Sequence, residues 1–155
     1  MAVSLGKAFH PLVLDITDPE ATAALPDSLP LAWRDIAVLV NNAGHVGRER
    51  FDHFALAHDA AYVASKFAIN GLTQALRVDY EGMGMRIIEV APGVSRTGFA
   101  QVRYNGEATR AEEFYERFPA VLEADDVART IVFALEQPPH VTLGEILMFP
   151  SHGRK

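Results

Sequence analysis

The sequence predicts an α/β fold: a parallel, doubly wound sheet with flanking helices, carried by one domain over residues 1–155. Three observations lead there. Short apolar runs suited to buried strands, at residues 12–14, 36–40, 86–90 and 145–149, alternate with segments of helical periodicity. Residues 59–81 keep polar and apolar side chains on separate faces of one long helix. Asn41, Ala43 and Gly44 follow directly on a strand-like run, and the C-terminal ends of parallel strands are where open α/β sheets bind ligands.

Taken in order, residues 12–14 run into Asp15, after which Thr17, Asp18, Pro19 and Glu20 supply a helix start: a capping side chain, then proline at the first helical position. Pro26 and Pro30 keep the following helix, within 21–31, short. Residues 36–40 form a second strand. The amide and glycine residues that end it also suit an ordinary turn. Residues 45–58 are polar, aperiodic and free of Ser and Thr, and read as loop. The helix over 59–81 starts with small residues, Ala60, Ala61, Ala64, Ser65, Ala68 and Gly71, that permit close packing on a neighbour. Leu72, Ala75 and Leu76 continue its apolar side, and Gly82 and Gly84 stop it. The strand over 86–90 ends in Ala91, Pro92 and Gly93, and residues 94–106 read as a loop on the substrate side. Helices over 108–118 and 125–136 end at Pro119 and at Pro138 with Pro139, and residues 145–149 form the last strand.

Composition narrows the function. A net charge of −6 without a Lys/Arg cluster argues against a phosphate-backbone partner, so no nucleic acid is expected. Zero cysteines exclude disulfides, iron–sulfur clusters and thiol catalysis. No apolar run approaches about 18 residues and residues 1–10 hold no signal-like apolar stretch, so the expectation is a cytoplasmic chain without a membrane partner. His53 and His58 stand five apart without a matching ligand set and read as solvated, so no metal is expected.

Tyr62 and Lys66 lie four apart, about 1.1 helical turns, and so share a face. An ammonium beside a phenol favours the tyrosinate, which makes the two a candidate proton-transfer pair. The same stripe continues through Asn70, Thr73 and Arg77, so the pair also reads as the start of the solvated side of an amphipathic helix.

Asn41 to Gly44 (NNAG), Tyr62 with Lys66 (YxxxK), and Pro92, Gly93 and Thr97 (PGxxxT) stand in the order found in the short-chain dehydrogenase/reductase family, and the chain resembles that family over residues 12–149. Phe99 to Tyr104 (FAQVRY), Ala124 to Val127 (ADDV) and Pro139 to Val141 (PHV) resemble a narrower branch, the NADP-dependent 3-hydroxy acid or serine dehydrogenases. The resemblance implies an incomplete Rossmann-like sheet of about four strands, and an oxidoreductase moving a hydride between NADP, with NAD left open, and a secondary alcohol or ketone such as a 3-hydroxy acid. It implies Tyr62 as general acid/base, and Lys66 lowering the pKa of Tyr62 and bonding the nicotinamide ribose. Asn41, Ala43 and Gly44 would lie along the cofactor, Asp15 near the adenine, and Pro92, Gly93 and Thr97 near the nicotinamide. Asp15 serves equally as a cap on the approach to its helix. Arg103 would grip a substrate carboxylate, the alternative being a surface ion pair. The family also implies a homo-oligomer through the small-residue face of the Tyr62 helix.

Three family elements are missing. No glycine-rich TGxxxGxG turn occurs, as if the chain began late in the family's second helix. The segment between Gly44 and Tyr62 is too short for the family's fourth helix and fifth strand, and the catalytic Ser goes with them. Of the family's strand order 3-2-1-4-5-6-7, strands 3, 4, 6 and 7 remain, of which 6 and 7 alone are neighbours. The sheet must therefore close up, recruit another chain or fail, and turnover is expected to be impaired. The rival reading is a non-catalytic module that docks on an intact subunit of the family.

Overall fold

A computed structural model describes residues 10–42 and 57–151, leaving out the side chains of 57–61. The chain divides into two units, Met1–Ala43 and Gly44–Lys155. In the first, Asp18 caps helix α1 (Pro19–Ser28): its carboxylate accepts the Ala21 N–H at 2.9 Å, and Pro19 takes the first turn as expected. Pro26 lies inside the helix, which continues to Ser28. Leu29 then turns extended ahead of Pro30, and the Arg34 guanidinium donates to the carbonyls of Leu29 (2.8 Å) and Asp27 (2.6 Å) at the helix end.

Two expected strands do not form. Residues 12–14 and 36–40 take part in no ladder among the described residues, and Leu39 is 84% exposed. Their apolar composition suits a strand buried on both sides, but that composition stabilises a strand only where neighbouring backbone completes its hydrogen bonds.

The second unit opens with α2 (Ala57–Asp79), two residues earlier than expected at each end, and a turn with Gly82 (φ 79°) and Gly84 (φ 72°) in the left-handed region stops it. Strand β1 covers Glu89–Pro92, somewhat later than the expected 86–90, and β4 covers Glu145–Met148. They pair in parallel, Glu89 opposite Glu145 and Pro92 opposite Met148, which is the one adjacency the retained strands permit. The expected loop over 94–106 is instead strand β2 (Ser95–Arg96) followed by α3 (Phe99–Arg103). Asn105 (φ 59°) and Gly106 (φ 85°) end α3, where Gly106 N–H donates to Gln101 O at 2.7 Å and Asn105 N–H to Val102 O at 3.2 Å. A five-residue helix gives too few periods to stand out in sequence, and Gly98 before it carries no capping side chain. Helix α4 (Ala108–Glu116) follows, then β3 (Leu122–Glu123), unforeseen and parallel to β2, and α5 (Ala124–Leu135). A reciprocal cap between Glu123 and Asp126 starts α5. The Arg86 guanidinium bonds the carbonyls of Leu135 (3.0 Å) and Gln137 (3.1 Å) at its end.

The polar stripe of α2 is not its solvated side. Asn70, Thr73 and Arg77 are half-buried, while Phe67 (74%) and Val78 (72%) stand exposed beside Ala64, Ala68, Gly71 and Ala75. Asn70 Nδ2 donates to Glu89 Oε2 at 2.9 Å, Gln74 Nε2 donates to Asn70 Oδ1 at 2.6 Å, and Arg77 donates to the Ile87 carbonyl at 3.0 Å and to that of Gly144. The segments leading into β1 and β4 present carbonyls that need donors, and the helix turns its donors toward them. A small core lies further along the chain, where Ala100, Ala111 and Tyr115 are buried against Val94, Tyr104, Phe114 and Val121.

Candidate functional site

In α2 the half-buried Tyr62 and the exposed Lys66 share a face as the spacing requires: the Lys66 ammonium stands 5.5 Å from the Tyr62 ring centroid. Across from it, Phe99 of α3 packs on Tyr62 with ring centroids 6.0 Å apart. Phe99 sits just past the turn that leaves β1. Pro92 closes β1, and Gly93 extends the ladder by one bond, its N–H donating to Met148 O at 2.7 Å. A Cβ at Gly93 would meet that oxygen and the Phe149 ring, each at 3.2 Å, so a side chain there would need β4 to give by a few tenths of an ångström. Ser95 Oγ donates to Gly93 O at 3.0 Å. Thr97 is exposed, its hydroxyl accepting the Phe99 N–H at 3.2 Å, while its N–H donates to the Tyr115 hydroxyl at 3.2 Å.

Arg103, half-buried in α3, holds its guanidinium 5.8 Å from the Phe114 ring centroid. Arg96 pairs with both oxygens of Glu112 (2.8 and 2.9 Å) and lies 4.8 Å from the Tyr115 ring centroid. The Glu112 hydrogen bond raises the Arg96 pKa further above its ordinary value.

In the first unit, the Asp15 carboxylate accepts the Thr17 hydroxyl (2.7 Å) and the Thr17 N–H (2.9 Å), which is the local turn role its sequence position allows. Those two bonds hold its pKa below the usual carboxylate range. The sign follows: the bonds favour the folded turn at neutral pH, and that contribution is lost as pH falls through the lowered value. Asn41 is exposed at the end of an unpaired segment, and Ala43, Gly44 and His53 lie outside the described residues.

The Tyr62–Phe99 contact thus links the Tyr62–Lys66 pair to Thr97, whose hydroxyl accepts the Phe99 N–H, while Pro92 and Gly93 precede that turn at the end of β1. The sequence marks Phe99 only as the first residue of the FAQVRY stretch, with no role attached, and does not single out Tyr115. The signal for Tyr115 was its place four residues after Ala111 in α4, which puts a hydroxyl on the buried face, where it needs a partner. Neither of two open grooves is lined by Tyr62, Lys66 or Thr97. One of about 500 Å³ borders Asp126, Thr130, Phe133 and Phe149, and one of about 440 Å³ borders Gly98, Gln101 and Asn105. No helix among the described residues is long and apolar enough to cross a membrane.

The profile of the short chain dehydrogenase family matches residues 52–108, a span that holds Tyr62, Lys66, Pro92, Gly93, Thr97 and Arg103. A serine 3-dehydrogenase of Agrobacterium fabrum (strain C58) is 28% identical over 195 positions, covering 97% of this chain and 78% of the relative. An NADP-dependent 3-hydroxy acid dehydrogenase of Schizosaccharomyces pombe is 27% identical, covering 92% and 72%. Sulfoacetaldehyde reductase 2 of Chromohalobacter salexigens is 28% identical, covering 92% and 75%. In the first alignment, 195 positions hold only 97% of a 155-residue chain, so roughly 45 positions within the aligned part of that relative have no counterpart here. Among solved structures, the closed form of a serine dehydrogenase complexed with NADP+ superposes with a TM-score of 0.76 at 23% identity, covering 87% of this chain and 73% of that one. That likeness establishes a Rossmann-like α/β fold with reduced sheets.

Proposed function

We propose that this chain, which belongs to the short chain dehydrogenase family, is an NADP-dependent oxidoreductase of diminished turnover acting on a secondary alcohol or ketone of the 3-hydroxy acid type. The observation that carries the reading is the contact of Tyr62 with Phe99, which joins the Tyr–Lys helix to the turn leaving β1. The donor set there fits a nicotinamide riboside in its chemistry: a phenol, an exposed ammonium and an exposed threonine hydroxyl beside a strand end. When bound, NADP supplies the hydride acceptor at nicotinamide C4. Tyr62 takes the proton from the substrate hydroxyl as its carbon gives up hydride, and returns it in the reverse direction. Lys66 bonds the ribose and supplies positive charge beside the phenol. Pro92, Gly93 and Thr97 would border the nicotinamide, and by the family resemblance alone Asn41, Ala43 and Gly44 are assigned to the cofactor and Asp15 to its adenine. The choice of NADP over NAD is supported by the NADP+ in the related structure and by the yeast relative's name.

Diminished turnover is supported by the residues that lead into α2. Positions 45–58 contain no Ser or Thr, and roughly 45 positions of the aligned relative have no counterpart in this chain. Loss of one donor to the reacting oxygen typically costs about 2.7–4 kcal/mol, or two to three orders of magnitude in rate. Arg103 is assigned to the substrate carboxylate. Arg103→Ala is expected to raise the KM for hydroxy acids about tenfold or more, the worth of a bond to a charged group. An unchanged KM returns Arg103 to a structural role.

A second reading is favoured by the uncovered apolar face of α2, where Phe67 projects beside Ala64, Ala68 and Gly71. On this reading the chain is a docking module for a subunit of its own family, a second copy included. One experiment separates the two. NADPH at about 100 times its Kd adds about 2.7 kcal/mol to a folded chain that binds it, a rise in Tm of roughly 5–10 °C. A melt indifferent to NADPH, from a sample whose solution mass exceeds that of one chain, favours the docking module and defeats the oxidoreductase.

A further inference from the structure

Tyr115 is 5% exposed, and its phenol oxygen reaches out of the core to one residue. It accepts the Thr97 N–H at 3.2 Å and donates to the Thr97 carbonyl at 3.0 Å, so a single hydroxyl satisfies both backbone groups of that residue. Thr97 passes the constraint on. Its own hydroxyl accepts the Phe99 N–H at 3.2 Å at the start of α3, and the Phe99 ring lies against Tyr62. Ala100, next in α3, is fully buried with Ala111 and Tyr115, which fixes α3 against α4 on the other side of the turn. Arg96 closes the arrangement by covering the Tyr115 ring while both oxygens of Glu112, one turn earlier in α4, hold its guanidinium.

We propose that Tyr115 is a positioning residue: its hydroxyl sets the Thr97–Phe99 turn, and through Phe99 the placement of the Tyr62 ring. The consequence for nucleotide binding rests on the oxidoreductase reading above. An apolar residue of the same shape would fill the core equally well, so packing alone leaves the hydroxyl without a task. The pair of bonds to one exposed backbone unit gives it one, because Thr97 could otherwise bond water and the turn would sample other conformations.

Tyr115→Phe in the full chain tests this, since Phe retains the ring, its burial and the Arg96 contact. The expected result is faster hydrogen exchange at the Thr97 amide by about tenfold, and NADPH affinity lower by about three- to tenfold, the worth of one or two neutral hydrogen bonds. Ser95→Ala, which removes a hydroxyl from the same turn without touching the Tyr115 bonds, is expected to leave Thr97 exchange unchanged and controls for general loosening. If the wild-type chain binds NADPH and Tyr115→Phe binds it equally well, the positioning role is overturned while the oxidoreductase reading stands. If the wild-type chain shows no response to NADPH in the same titration, the oxidoreductase reading falls and the positioning role with it.

Discussion

Tyr62→Phe is expected to lower the residual NADPH-dependent turnover at least about 100-fold while leaving the melting temperature within about 1 °C. The separation of the two effects comes from the geometry. The Phe99 contact at 6.0 Å and the Lys66 ammonium at 5.5 Å both involve the ring, which the substitution preserves. What is removed is one oxygen that makes no hydrogen bond among the described residues: within α2 it is the Tyr62 carbonyl, not the phenol, that accepts the Ser65 hydroxyl. NADPH binding should survive as well, because the assigned nucleotide contacts lie on Lys66 and the Thr97 turn. Turnover measured by NADPH absorbance, with the thermal shift on the same sample, checks the prediction. Undiminished turnover in Tyr62→Phe would remove the proton-transfer role outright.

Arg77→Leu is expected to produce a large loss of stability, about 1–3 kcal/mol in urea unfolding. One guanidinium serves two carbonyls on different segments, that of Ile87 ahead of β1 and that of Gly144 ahead of β4. A Cβ at Gly144 would come within 3.3–3.5 Å of it, so the chain there has been shaped to admit the side chain. Leucine fills much of the space but leaves the Ile87 carbonyl without this donor in a half-buried seam, at about 1–3 kcal/mol, while the Gly144 carbonyl loses one of two donors and keeps the Glu89 N–H at 3.0 Å. A loss below about 0.5 kcal/mol would show that water replaces the guanidinium and that the seam contributes little.

That seam also marks where sequence reasoning stopped. The i, i+4 spacing of Tyr62 and Lys66 fixes that they share a face, and the structure bears this out. Spacing does not say which face meets the sheet. The ordinary rule sends Asn70, Thr73 and Arg77 to water, and it fails for Asn70 and Arg77 because the Glu89 carboxylate and the carbonyls of Ile87 and Gly144 accept their N–H groups, while the Thr73 hydroxyl bonds back to the Ile69 carbonyl within α2. Helices were legible where capping or termination was local, as at Asp18 with Pro19 and the two left-handed glycines after α2, or where the apolar period was clear, as in α5, whose Glu123–Asp126 cap the structure adds. Strands were legible only where a partner exists. Residues 145–149 have one in β1, whereas residues 36–40, more strongly strand-like in composition, have none among the described residues. Strand formation is a property of two segments, and a sequence window shows one. The order of the three family motifs could be read directly from the sequence. The contact of Phe99 with Tyr62, which connects the second motif to the third, could not, because Phe99 lies in a helix too short to leave a period and the FAQVRY stretch says nothing of its partner.

The parallel ladder that sets Glu89 opposite Glu145 bears on the order in which this chain acquires its structure. Pairing residues so distant in sequence costs closure entropy that grows with the logarithm of the intervening length, and contacts of that range form late. Helices α3, α4 and α5 all lie inside the loop the ladder closes, and each one that forms shortens the flexible path between its ends. The buried cluster of Ala100, Ala111 and Tyr115 is local to that loop and can assemble before the ladder does. Gly93, by contrast, is held by the Met148 carbonyl just past β1, so the turn assigned to the nicotinamide takes its final shape with the last strand of the chain. On the proposed role of that turn, competence for the nucleotide would be acquired at the end of folding, and the first opening of the ladder would remove it.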